Sequence, residues 1–119
     1  MGSLAAIAAC GVFALGAREA AAADTYGAIA FSKETGASGY GNRYPSRDGA
    51  EERALQECGP GCDVVMWVRN ECAALVIGKD NGYGTNRGTD ENEAVQGVIA
   101  QCEQYTTDCG QIVMTCSAY

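Results

Sequence analysis

Two clusters of carboxylates are where acid–base chemistry would begin: Asp48, Glu51 and Glu52 in one half of the chain, Asp90, Glu91 and Glu93 in the other. Glycoside hydrolysis needs two such groups facing each other across a cleft, one to protonate the leaving oxygen and one to act as base or nucleophile. These acids instead follow Ser46 and Thr89-Asp90, residues suited to capping a helix, and an acid in a first helical turn is accounted for by the dipole. The chain has no histidine, so Ser-His-Asp and Cys-His nucleophilic machinery is absent. No catalytic residue is assigned, and the expectation is a protein that is not an enzyme.

Two further patterns look like ligand sites. Asp80 to Glu91, "DNGYGTNRGTDE", has an acid first and an acid twelfth, as a calcium loop does. However, Gly82 and Gly84 occupy positions that should be Asp or Asn, and Thr85 stands where the sharp turn needs glycine. The Gly-Tyr-Gly runs at 39–41 and 82–84 lack the strand-then-helix setting of a phosphate cradle and read as hairpins with surface tyrosines. Without histidine or a Cys-x-x-Cys pair, no zinc site is expected either. No metal and no cofactor is assigned.

The cysteines say more. Residues 3–17, "SLAAIAACGVFALGA", followed by Ala21 and Ala23, have the core and cleavage pattern of a secretory signal peptide, expected over residues 1–23. At about 15 apolar residues this stretch is short of the roughly 20 that span a membrane. A lipobox at Cys10 is the lesser alternative. Removing residues 1–23 leaves six of the seven cysteines: Cys58, Cys62, Cys72, Cys102, Cys109 and Cys116. An even count in a small exported chain reads as three disulfides and an oxidising compartment, periplasmic or extracellular. The net charge of −7, with no basic cluster, argues against nucleic acid and anionic membranes as partners.

The elements that must position these residues are written twice. "YGAIAF" and "CAALVI" open two stretches that each continue through Gly-Tyr-Gly, a capped apolar stripe ending in cysteine, and a strand entered from another cysteine. Equivalent residues lie 43 to 47 positions apart. The chain after the signal, residues 24–119, is therefore expected to be one α+β domain of two pseudo-symmetric strand-strand-helix-strand repeats, about 26–71 and 72–119. Six mostly antiparallel strands and two helices follow, with the glycine-rich second strand of each unit the weakest. Alternation places Ile29, Phe31, Val65, Trp67, Leu75, Ile77, Ile112 and Met114 on one face, expected to meet the helices. The opposite face carries Val64, Met66 and Val68. Either the sheet folds over itself and buries them, or they form a partner or self-association surface.

Six cysteines allow fifteen pairings. The repeat suggests Cys58–Cys62 and Cys102–Cys109 as staples between helix end and following strand, and Cys72–Cys116 between the second unit's first and last strands. Tyr40, Tyr44 and Tyr83 are candidate binding residues, because tyrosine supplies contact area at low entropic cost. Arg69, with Asn70 and Glu71, forms a polar cluster between the units.

"YGAIAFS" (26–32), "YPSRDGAEERALQECG" (44–59) and "CDVVMWVRNECAALVIG" (62–78) resemble the bacterial exported family known as domain of unknown function 4189. The likeness extends over 26–116 and departs at "GYGTNRG" (82–88), where more aromatic or glycine content is the pattern. It implies secretion and disulfides, and it carries over no catalytic residue. The functional expectation is an exported interaction domain that binds a protein partner or itself. Alternatives are an inhibitor or immunity-type protein blocking a hydrolase, and a small carboxylate-dependent hydrolase.

Overall fold

A computed structural model describes residues 23–117 of the chain. The signal-peptide and lipobox expectations fall almost wholly outside the described residues. Six strands run in the order β1 (Tyr26–Phe31), β2 (Ser38–Tyr44), β3 (Asp63–Arg69), β4 (Cys72–Ile77), β5 (Tyr83–Gly88) and β6 (Gln111–Cys116). Helix α1 (Arg47–Cys58) lies between β2 and β3, and the short α2 (Glu91–Val95) and α3 (Val98–Glu103) lie between β5 and β6. The fold is α+β, with two separate antiparallel sheets of order β2-β1-β3 and β5-β4-β6 in place of one continuous sheet.

The sheets pack face to face, with α1 outside the first and α2 and α3 outside the second. The central strands β1 and β4 are thus covered on both sides, which explains their unbroken apolar sequences. Expected facing is reversed in these two strands. Ile29, Phe31, Leu75 and Ile77 fill the space between the sheets, while Ala28 and Ala30 meet Ala50 and Ala54 of α1, and Ala74 and Val76 meet Ala94 and Val98. Stacked sheets stand about 10 Å apart and need large side chains between them. A helix seated on an Ala/Gly surface needs small ones.

The glycine-rich second strands carry this close seating furthest. A Cβ at Gly39 would stand 2.5 Å from the Ala54 carbonyl oxygen and 2.5 Å from the Cys58 nitrogen; one at Gly84 would stand 2.4 Å from the Cys102 nitrogen. The helix seat is Gly39 and Gly41 in β2 and Gly84 and Gly88 in β5, all four buried beneath helix backbone.

Ser46 caps α1 by accepting from the Gly49 amide at 3.1 Å. At the other helical segment Asp90 accepts from Glu93 N, while the Glu93 carboxylate accepts from Thr89 N, a reciprocal cap. The single second helix expected from Ala94, Val98 and Cys102 is instead two segments. Gly97 takes φ of +81°, the left-handed region, and breaks the ladder after Gln96. Asn86 of β5 repairs the break, its amide donating to the carbonyls of Glu93, Ala94 and Gln96. Replacing Asn86 by Ala leaves these acceptors without that donor. A loss of about 1 kcal/mol or somewhat more in denaturant unfolding is expected, with faster amide exchange in α3 and β5.

Three disulfides form: Cys58–Cys62, Cys72–Cys116 and Cys102–Cys109. Cys72 and Cys116 are register partners at the ends of β4 and β6. The chain passes from one sheet to the other through Asn70 and Glu71. Asn70 exchanges hydrogen bonds with Thr25, Glu71 does so with Ser117, and the Thr25 hydroxyl donates to the Ser117 carbonyl. The polar cluster between the units is therefore a structural knot tying both ends of the domain to the crossing.

Candidate functional site

Three concave surfaces are built on this frame, and each follows from where a helix or turn meets a strand edge. The first lies between β2, an edge strand, and α1. Because Gly41 has no side chain, α1 settles low enough for the stem of Arg53 to lie over it, within 3.0–3.2 Å of where a Cβ would be. Arg53 Nη2 donates to Glu57 Oε2 at 2.9 Å, and Glu57 Oε1 accepts from the Tyr40 amide at 3.3 Å. Glu57 thereby fixes the guanidinium beside the strand. Tyr40, Asn42, Arg43, Tyr44 and Pro45 complete a groove of about 540 Å³.

Behind Tyr44 the groove backs onto an aromatic cluster. Trp67 of β3 stacks against Tyr26 with ring centres 6.4 Å apart, and the Arg47 guanidinium sits 4.2 Å over the Trp67 ring while pairing with Glu51 at 2.8 Å. Cation–π contact and ion pair hold Arg47 down over the ring.

The other two concavities flank Tyr83 where the β1–β2 turn meets the β4–β5 turn. Asn81 donates to the Lys33 carbonyl at 3.0 Å, tying these turns together. On one side Lys33, Tyr83, Thr85, Gln101 and Tyr105 enclose about 470 Å³. On the other, Phe31, Val64, Val65 and Tyr83 form an apolar floor rimmed by Lys33, Glu34 and Asp63, with a volume of about 610 Å³. The Phe31 and Tyr83 rings meet at 5.0 Å, so the wall between the two is anchored in the core.

The residues singled out from sequence divide among these places. Tyr40 and Tyr44 share the first groove, and Tyr83 forms the wall between the second and third. Val64 lines the third. Val68 has no exposed surface and belongs, with Met66, to the core between the sheets. Of the two readings left open for that face, burial within the chain is the arrangement at Val68. A register shift opposite Ile29 and Ala30 adds one residue to β3, which is why neighbours Val65 and Met66 both reach the inter-sheet core. Arg69 is exposed and 4.0 Å from Asp24.

Sequence reasoning missed Arg43 and Arg53, Lys33, Thr85, Gln101 and Tyr105. It also did not pair Glu34 with Asp63, which line one cleft from different strand ends. One signal was present for Tyr105: the turn from Cys102 to Cys109 is longer than its counterpart from Cys58 to Cys62.

The family model described as Domain of unknown function (DUF4189) matches residues 26–116. No curated protein matches the chain, and no solved structure does.

Proposed function

We propose, from the premise that the chain belongs to the DUF4189 family, that it is an exported, non-enzymatic interaction domain that receives a protein partner in the groove between β2 and α1. The observation carrying this reading is that two tyrosines and two arginines, Tyr40, Tyr44, Arg43 and Arg53, line one groove beside the edge strand β2. Tyrosine and arginine dominate the energetics of protein interfaces. Glycine seating and the Glu57 bridge hold Arg53 in place before any partner arrives, which lowers the ordering cost of binding. Three disulfides in a domain of this size favour an oxidising compartment. Among the described residues no helix is long and apolar enough to cross a membrane.

Affinity capture from culture medium and periplasmic extract with the oxidised domain tests the proposal. A partner retained by the native protein should be lost, with affinity falling at least about tenfold, on Tyr40→Ala or Arg53→Ala. Retention by both variants refutes the groove as its seat. If the partner is a hydrolase whose activity falls on binding, the inhibitor variant of this reading is the operative one.

The runner-up is a carboxylate-dependent hydrolase, favoured by the convergence of Glu34 and Asp63 on one cleft. Glu34→Gln and Asp63→Asn leave partner capture intact if the interaction reading holds. Abolished turnover of a polysaccharide substrate in both variants would favour the hydrolase instead.

A further inference from the structure

The turn between α3 and β6 has a form that its structural role does not require. Its counterpart after α1 joins Cys58 to Cys62 through Gly-Pro-Gly, whereas this one runs through Glu103 to Asp108 and carries Tyr105. Tyr105 is 72% exposed, the most exposed of the large hydrophobic side chains in the described residues. Its backbone is nevertheless held firmly. Tyr105 N and Thr106 N both donate to the Cys102 carbonyl, Thr106 Oγ1 donates to Lys79 O at 2.7 Å, and Lys79 N donates to Thr107 O at 2.7 Å. The Cys102–Cys109 disulfide closes the turn. Burial does not explain the side chain, yet the scaffold fixes where it stands.

Tyr105 stands at the rim of the cleft that also holds Tyr83, Thr85, Gln101 and Lys33. Among the described residues no carboxylate lines this cleft, although the chain has 15 acidic residues. Its polar groups are a hydroxyl, an amide and phenols, which both donate and accept hydrogen bonds, with Lys33 supplying the one charge. Its volume of about 470 Å³ lies within the range of about 300–1,000 Å³ usual for small-ligand clefts. A ligand suited to these walls presents many hydroxyls or amides and a flat C–H face for a phenol ring to cover. Saccharides have that chemistry; a cationic peptide would meet Lys33 and find no acid.

We infer that the cleft between β5 and α3 is a saccharide-binding site, with Tyr105 as the stacking platform and Thr85 and Gln101 as the hydroxyl-reading groups. It is separate from the groove proposed for the protein partner and does not depend on it. The test is titration of the oxidised domain with triacetylchitotriose, cellotriose, maltotriose and trigalacturonate, followed by amide chemical shifts. At least one should bind, with shifts confined to Thr85, Gln101, Tyr105 and their neighbours. Tyr105→Ala and Gln101→Ala should each weaken binding tenfold or more, while Tyr40→Ala leaves it unchanged. Preference for trigalacturonate that disappears in Lys33→Gln assigns the lysine to a sugar carboxylate, within the same proposal. No binding by any of the four up to millimolar concentration overturns the inference, as does binding that survives Tyr105→Ala. Because Tyr105 is exposed, native-like amide spectra are expected for that variant.

Discussion

The double variant Cys72→Ala/Cys116→Ala should lose about 4 kcal/mol of unfolding free energy, the largest single effect expected in this protein. The bond closes a separation of 44 residues, against 4 for Cys58–Cys62 and 7 for Cys102–Cys109. Loop-closure entropy removed from the unfolded chain rises with the logarithm of that length, so each short bond contributes only about 2 kcal/mol. A domain of this size has roughly 5–15 kcal/mol in all. Loss of the long bond should therefore lower Tm by about 15–30 °C, and loss of Cys58–Cys62 by roughly half as much. Equilibrium unfolding under non-reducing conditions measures both. Equal losses from the two double variants would contradict the loop-length argument.

Gly84→Ala should be the most damaging small substitution outside the cysteines. The added methyl would stand 2.4 Å from Cys102 N and 2.8 Å from Cys102 Cα, both backbone atoms that cannot rotate away. Either α3 lifts from β5 or the strand is pushed into the inter-sheet core. Overpacking typically costs about 1–3 kcal/mol, and the rigid obstacle places this site at the upper end of that range. Gly39→Ala, with Ala54 O and Cys58 N each at 2.5 Å, should act alike on α1. Gly110→Ala is the control, since nothing lies within 4 Å of the place its methyl would take, and a change within about 0.5 kcal/mol is expected. Thermal unfolding of the three variants ranks them.

Strands, caps and the two short disulfides could be read before the fold was seen because each depends on nearby residues, whereas Cys72–Cys116, 44 residues apart, followed from the repeat. Apolar runs at 26–31 and 72–77, Ser46 and Asp90 ahead of apolar stripes, and cysteines at matching places in two units all carry local meaning. Which face of β1 and β4 met the helices was not local. Both faces are apolar, and only the packing of one sheet on the other makes the larger residues the inner ones. The break at Gly97 was masked because Ala94 and Val98 still fall on one buried side across it. The candidate grooves were legible only as three tyrosines and Val64. Arg53, Gln101, Tyr105 and Lys33 join them from other elements, and the glycines that let Arg53 and Gln101 approach looked like turn residues.

The three disulfides never cross between the sheets: one lies wholly in residues 26–69, two in residues 72–116. Oxidation is thereby partitioned. Once the first pair of these six cysteines has closed, four remain, and four allow three pairings where six allow fifteen. The Cys58–Cys62 bond needs no residue beyond Cys62 to close. The halves are then joined covalently only by the peptide link through Asn70 and Glu71, so a single proteolytic cut there would leave two fragments held together by the inter-sheet core and by the hydrogen bonds from Thr25 to Ser117, Asn81 to Lys33 and Thr115 to Gly41.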